Sequence, residues 1–387
     1  MDRENLDALV ATTPENVYYL SDYGNQHTFH FAPWGLAAAI LPKDRSVPPT
    51  LLAQDWELPY LTERPSWMPE LRVQSCVAAR VLPGDPLAPH EIRIRDAWEA
   101  TKTGVTNRQR LLGRTLRELG LDRARLGFDD VRVMAELKEH ELESSDLMDT
   151  LQLFREIRLV KTPDELDLLT AACRKNQAAL LSMAVMVAQG VTPGELLRHY
   201  LATTASQGGY GSHSTGGGVD RPWHTYPDLT YRLKSGDIYH LDPAAHYNYY
   251  WADLGRSSQI GGPTPKFERL YADLQAARAA TDPMLKPGVS TADIKAQAVE
   301  IVQTDMPAGF SPLIHSIGLE QYDHPQSIGE FLTEDFVLAA GMVVNLELLY
   351  FEFPWGVLQL EDTFHITPSG PERLSTLPLE PFYPSAT

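Results

Sequence analysis

The 387-residue sequence predicts an α/β (α+β) protein of two domains, a small N-terminal α/β domain over residues 1–155 and a larger domain over residues 156–387. Three observations carry this. The chain exceeds the roughly 250–300 residues at which a single hydrophobic core stops growing. Short strand-like runs alternate with helical periodicity through the first 150 or so residues, the pattern of strands and helices packed in layers. A new start is then written in Arg158-Leu159-Val160-Lys161-Thr162-Pro163-Asp164-Glu165: Thr162 suits an N-cap, Pro163 the first helical position, and Asp164 and Glu165 the positive end of a helix dipole.

Taken in order, residues 6–10 read as a strand and Thr13-Pro14-Glu15-Asn16 as a helix start or turn. Residues 34–41 and 50–53 read as the second and third strands. Within 106–119, Leu111, Leu112, Thr115, Leu116 and Leu119 share one helical face, and Gly120 ends the helix. Residues 126–129 form another short strand. In the second domain a long helix runs from Pro163 to about Ala188, and Thr192-Pro193-Gly194-Glu195 repeats the same start signal. A third start, Pro287-Gly288-Val289-Ser290-Thr291-Ala292-Asp293, precedes a helix over 294–302, so a weak internal duplication is expected. Residues 208–218 carry Gly208, Gly209, Gly211, Gly216, Gly217 and Gly218 around Ser212, His213, Ser214 and Thr215. They lack the Gly-Lys-Ser/Thr ending of a phosphate loop and read as a flexible loop on the substrate side. Residues 238–241 and 247–251 read as the two strands of one hairpin.

Composition bounds the function. Apolar content of 43% and charged content of 22% are those of a soluble globular protein. With 33 basic against 51 acidic residues the formal net charge is −18, which disfavours nucleic acid or an anionic membrane as partner. Cys76 and Cys173 lie far apart and suit neither a disulfide framework nor a zinc ribbon. No apolar run of signal-peptide or membrane-spanning length is present, so a cytoplasmic enzyme is the expectation.

The chemistry gathers around Asp242 and Asp253, each closing a strand-like run. Burying an ionised carboxylate without a partner is costly, so an inward-facing pair implies a metal or a shared proton. Downstream, His315, Glu347 after the apolar run 342–346, and Glu361 after 356–360 stand in similar strand-like surroundings. Each alone reads more readily as a surface or salt-bridged group than as a ligand. Together, four carboxylates and one imidazole make a hard, oxygen-rich set suited to two adjacent divalent ions, with Mn²⁺, Fe²⁺, Co²⁺ and Zn²⁺ as candidates.

The order Asp, Asp, His, Glu, Glu, the eleven-residue step from Asp242 to Asp253, and His224 placed eighteen residues ahead of Asp242 resemble the pita-bread metallopeptidase family. So do Lys234-Ser235-Gly236-Asp237, Asp253-Leu254-Gly255-Arg256-Ser257, Gly341-Met342-Val343 and Glu361-Asp362-Thr363. The 158–165 junction and Pro14-Glu15-Asn16-Val17-Tyr18-Tyr19-Leu20 resemble its Xaa-Pro dipeptidase (prolidase), aminopeptidase P and creatinase branch. The resemblance implies a creatinase-like N-terminal domain over 1–155 and a pita-bread catalytic domain over 156–387. It implies a metal-dependent hydrolase cleaving an Xaa-Pro dipeptide or similar small amide with water activated by two divalent ions, Mn²⁺ first among the candidates. By position Asp242 would bind one ion, Asp253 and Glu361 would bridge, and His315 and Glu347 would complete the other. Glu347 would also shuttle the proton, with His224 as a donor or oxyanion partner.

Departures from the family pattern fall in the substrate pocket. In His315-Ser316-Ile317-Gly318-Leu319-Glu320-Gln321-Tyr322-Asp323-His324-Pro325, Tyr322 stands where the family's peptidases carry a second histidine, leaving His324 as a candidate catalytic replacement. Gln359 stands where prolidases often carry an arginine for the substrate carboxylate, Pro243 replaces a glycine, and Leu348-Leu349 follow Glu347 instead of Pro-Gly. Tyr322, His213 and Arg256 are the candidate substrate contacts. These changes keep open a non-peptidase member acting on a small zwitterion, either a C–N hydrolase or a dimethylsulfoniopropionate-type lyase. A ligand-free binding platform is disfavoured because all five ligand positions are filled. The resemblance also implies a homodimer, in which the segment 23–34 with His27 and His30 closes the partner's active site.

Overall fold

The structure, a computed structural model, describes residues 1–24, 37–76, 86–140, 142, 146–213, 231–302, 309–328, 332–333 and 335–382. The chain forms two compact units, Met1–Phe154 and Arg155–Thr387.

The first unit is built on one six-stranded mixed sheet. Its strands are β1 (Ala8–Ala11), β2 (Ala38–Pro42), β3 (Thr50–Gln54), β4 (Glu70–Gln74), β5 (Arg125–Phe128) and β6 (Asp146–Asp149), in the order β4-β3-β2-β1-β5-β6. Only β2 runs against its neighbours. Side chains alternate across the strands, so neighbouring residues enter different cores. Ala8, Val10, Ile40, Leu52 and Phe128 pack on Leu111, Leu112 and Leu116 of the helix Arg108–Glu118 and on Val133 and Leu137 of the helix Val131–His140. Leu9, Ala11, Ala39, Leu51 and Ala53 pack with Val17 and Leu20 of the helix Pro14–Ser21 and with Phe154. The sheet is therefore covered on both faces, as an α/β layer requires. Of the expected second strand, residues 34–36 lie outside the described residues, as do His27 and His30.

The second unit holds three sheets. Strands β7 (Gly209–His213), β9 (Ala244–Tyr247) and β10 (Tyr250–Asp253) pair in the order β10-β9-β7, and β8 (Ile238–Leu241) pairs with β11 (Arg256–Gln259). The largest sheet combines β12 (Phe310–Ser316), β13 (Asp323–Ile328), β14 (Leu332–Thr333), β15 (Val343–Glu352), β16 (Gly356–Thr367) and β17 (Gly370–Arg373), in the order β14-β13-β12-β15-β16-β17. Even-numbered residues of its central strands, among them Ile314, Val344, Leu346, Leu348, Leu358, Leu360 and Phe364, form the core with Phe267, Leu270, Leu274, Ile294 and Ala298 of the helices Pro265–Thr281 and Thr291–Ile301. Odd-numbered residues face the other way, among them the polar His315, Asn345, Glu347, Gln359, Glu361 and Thr363, while Asp362 is a buried charge on the core side, paired with Arg278.

All three expected helix starts of the second domain form, the third as the helix Thr291–Ile301. Thr162 and Thr192 each accept from the backbone N–H of Glu165 and Glu195, and each glutamate accepts in return from the threonine N–H, at the heads of Pro163–Ala184 and Pro193–Ser206. The first helix stops at Ala184, short of the expected Ala188. Three expectations about strands need correction. Residues 238–241 and 247–251 do not form one hairpin: Ile238–Leu241 pairs with Arg256–Gln259, and the hairpin is Ala244–Tyr247 with Tyr250–Asp253. Its two-residue turn is Asn248-Tyr249, both at positive φ, 48° and 71°, the twist that matches a tight hairpin. The Gly-rich segment begins as strand β7, so its first part is sheet; residues 214–230 lie outside the described residues. Finally, Glu347 and Glu361 lie in the middle of long strands and do not end them.

Candidate metal centre

Strand register assembles the site from one face of the large sheet. His315 lies opposite Asn345, Asn345 opposite Thr363, Glu347 opposite Glu361 and Leu349 opposite Gln359. The period of two puts the side chains of His315, Asn345, Glu347, Gln359, Glu361 and Thr363 on the same side. Asp242 follows β8 and Asp253 ends β10. Asn176 of the helix Pro163–Ala184 fixes that end by donating to the carbonyls of Pro243 (2.7 Å) and Ala252 (3.4 Å), while its own oxygen accepts from the Tyr200 hydroxyl (2.7 Å).

All five expected ligands meet. Asp253, His315 and Glu361 form one set and Asp242, Glu347 and Glu361 a second, with the ligating atoms of each set within 4.8 Å of one another. Glu361 belongs to both. Glu347 falls with Asp242 and His315 with Asp253, a different division from the one the resemblance implied.

The electrostatics of this cluster call for cations. Asp253, Glu347 and Glu361 are 2%, 6% and 1% exposed. Burial first, and then the neighbouring carboxylates, hold all three well above the usual carboxylate range. Burial also lowers the His315 imidazole to about 4, so it stands neutral at pH 7, the form that ligates. Its Nδ1–H points to the Ser316 carbonyl at 3.1 Å, which leaves the Nε2 lone pair turned toward the Glu361 carboxylate, 3.9 Å away. His315 Nε2 and Asp253 Oδ1 are buried without a hydrogen-bond partner among the described residues. Orphaned acceptors in a nest of like charge fit a divalent cation, and the donor set fits the hard first-row ions.

A ring of neutral donors orients the ligands. Asn345 Nδ2 donates to Glu361 Oε1 (2.7 Å) and Gln321 Nε2 to Asp253 Oδ2 (2.7 Å). Gln359 Nε2 donates to both Glu347 Oε1 (2.8 Å) and Glu361 Oε2 (3.1 Å). Sequence reasoning missed Asn345 and Gln321 and placed Gln359 in the substrate pocket. For Asn345 and Gln359 the signal was present: with Glu347, Glu361 and Thr363 they recur at alternate positions of two largely apolar strands.

Tyr322 lies over His315, ring centroids 4.6 Å apart, and is 41% exposed. Burial of its hydroxyl, with Asp253 and Glu347 beside it, raises the phenol above its ordinary value, so it stays protonated. The turn that carries Gln321 and Tyr322, and the start of β13 with His324, are pinned through buried Asp323, which accepts from Arg158 Nη2 (3.0 Å) and Lys161 Nζ (3.4 Å). The junction motif thus serves a second purpose beyond starting a helix. His324 is partly exposed one residue beyond that anchor. Arg256 is corrected: it is fully buried, donating to both oxygens of Asp362 (2.9 and 3.1 Å) and to the carbonyls of Glu361, Gly255 and Pro378, so it supports the sheet and does not meet substrate. His224 and the side chain of His213 lie outside the described residues.

Comparison with known proteins agrees with this chemistry. Residues 167–368, more than half the chain, match the model of metallopeptidase family M24. The chain is 25% identical over 229 residues to the Xaa-Pro dipeptidase of Pyrococcus furiosus, covering 58% of this chain and 65% of that one. It is 28% identical over 266 residues to the probable dipeptidase PepE of Mycobacterium bovis, covering 62% and 66%. It thus spans just under two thirds of the length of these curated relatives. The prolidase from Pyrococcus horikoshii OT3 shares the fold, with a TM-score of 0.78 at 19% identity over 98% of this chain and 96% of that one. That is the mixed α/β pita-bread architecture with an N-terminal domain. Among the described residues no helix is long and apolar enough to cross a membrane. With the matched segment enclosing every carboxylate and the imidazole of the two sets, the chain belongs to metallopeptidase family M24.

Proposed function

We propose that the chain is a dinuclear metal-dependent hydrolase that cleaves an Xaa-Pro dipeptide or a similar small amide, with residues 155–387 as its catalytic domain and a creatinase-like domain before it. The observation that carries this reading is Glu361 standing in both ligand sets, the arrangement of a carboxylate shared by two ions. When bound, two divalent cations, Mn²⁺ first among the candidates, would supply Lewis acidity toward the amide carbonyl and acidify a water molecule at neutral pH. The chain's own residues do the rest. Glu347, held by Gln359 through one oxygen, takes up the proton of the attacking water and returns it to the leaving amine. The protonated Tyr322 hydroxyl, at the edge of the site, donates to the developing oxyanion. His324 and His224 are the candidate donors beyond it, and His213 a substrate contact.

Metal analysis of the purified protein, followed by hydrolysis assays on Xaa-Pro dipeptides, tests this. Two divalent ions per chain and activity abolished by Asp253→Ala are expected; full activity in that variant, or in metal-free protein, would sink the mechanism. A second reading is favoured by one observation. Gln359 is fully buried on Glu347 and Glu361 and gives no charged grip to a substrate carboxylate. The alternative is a C–N hydrolase or lyase reaction on a small zwitterion, and turnover of betaines without turnover of dipeptides would select it. We further propose a cytoplasmic homodimer, with a mass of two chains in light scattering as the check.

A further inference from the structure

The geometry points to Gln359 as the positioning residue that sets the two metal sites apart in affinity, an inference that rests on the dinuclear reading above. One side-chain nitrogen, with two hydrogens, reaches two different carboxylates: Glu347 Oε1 at 2.8 Å and Glu361 Oε2 at 3.1 Å. Gln359 is fully buried and its own oxygen has no hydrogen-bond partner among the described residues. An unsatisfied buried amide oxygen is costly, so the orientation is held by what the nitrogen does.

The neighbouring chain is built around this amide. A Cβ at position 255 would stand 2.4 Å from Gln359 Cδ and 2.6 Å from its Nε2, so only glycine leaves room for it. Gly255 in turn exchanges backbone hydrogen bonds with Glu361, 3.0 Å and 3.3 Å. Gly255 thus holds the backbone of Glu361 and the amide holds its carboxylate.

The consequence is unequal for the two ions. Gln359 holds two of the three ligands in the set of Asp242, Glu347 and Glu361, and only Glu361 in the set of Asp253, His315 and Glu361. The latter set has its own orienting donor in Gln321, on Asp253, while Asn345 holds the shared Glu361. A neutral donor also leaves the whole negative charge of Glu347 and Glu361 to the cations, which a guanidinium in its place would partly cancel.

The test is calorimetric titration of Mn²⁺ into chelator-stripped protein, wild type against Gln359→Met, which keeps the length and apolar bulk and removes the donor. Removing such an outer partner weakens metal binding by about 10- to 100-fold. That loss is expected in one binding step, with the other changed less than about threefold on the same scale. Turnover of the metal-saturated variant falls through kcat with KM held. Gly255→Ala, which displaces the amide without deleting it, reproduces the split. Two unchanged steps, or two steps weakened alike, would overturn the inference. A wild-type titration that shows no second ion would instead remove the dinuclear reading on which it rests, and the two failures are told apart by the wild-type arm alone.

Discussion

Removing the metal should make the stability of this protein depend on pH in a direction opposite to that of an ordinary acidic protein. Asp242, Glu347 and Glu361 offer oxygens within 4.8 Å of one another. At an effective dielectric of about 20, each ionised pair at that distance repels by roughly 3.5 kcal/mol. Burial adds to the repulsion, so Asp253, Glu347 and Glu361 hold their protons well above the usual range. A carboxylate with a raised folded pKa contributes stability that is fully present below its unfolded value, near 4, and lost as pH rises through the folded value. The stripped protein should therefore lose stability steadily from about pH 5 upward. A cation takes the place of those protons, and at a hundredfold excess over its Kd one ion contributes about 2.7 kcal/mol. For a unit the size of residues 155–387 that is a rise in Tm of roughly 5–10 °C. Thermal unfolding by circular dichroism, with and without Mn²⁺ between pH 5 and 8.5, reads both effects. Curves for stripped and loaded protein that coincide, or that converge as pH rises, would refute the reasoning.

Other perturbations have equally definite outcomes. Arg256→Met should cost about 3–5 kcal/mol in chemical denaturation, because it leaves Asp362 buried with one guanidinium fewer; a loss under 1 kcal/mol would contradict the structural role assigned to this arginine. Thr162→Ala removes one half of a reciprocal cap and should cost about 1 kcal/mol, whereas Thr162→Ser should be nearly silent in the same measurement. Tyr322→Phe should lower kcat by about 10- to 100-fold with metal content unchanged, and a variant as active as wild type would remove the hydroxyl from the mechanism. In the first unit the Arg132 guanidinium holds the Asp130 carboxyl below its usual range. Its stabilisation is present above about pH 4 and is lost as pH falls through the folded value, so Asp130→Asn should flatten the acid limb of the stability curve below about pH 4.

Whatever depends on near neighbours or on composition is legible in the chain before it folds. Thr162 with Glu165 and Thr192 with Glu195 are three residues apart, so their capping boxes are legible from local chemistry. The apolar face of Leu111, Leu112 and Leu116 follows from helical periodicity alone, and the five ligand types and their order are written in the chain. Tertiary structure decided everything that depends on register. Which strand Ile238–Leu241 joins is settled over a sequence distance that no local pattern spans, and the turn at Asn248-Tyr249 displaced the expected hairpin. The pairing of Glu347 with Glu361, and of Leu349 with Gln359, placed an amide between two carboxylates where sequence alone placed a substrate contact. Arg256 reads as a free cation beside the second aspartate until the buried Asp362 is set against it. Side chains choose their faces by a period of two, but only the packed sheet fixes which face closes on the metals and which on the core.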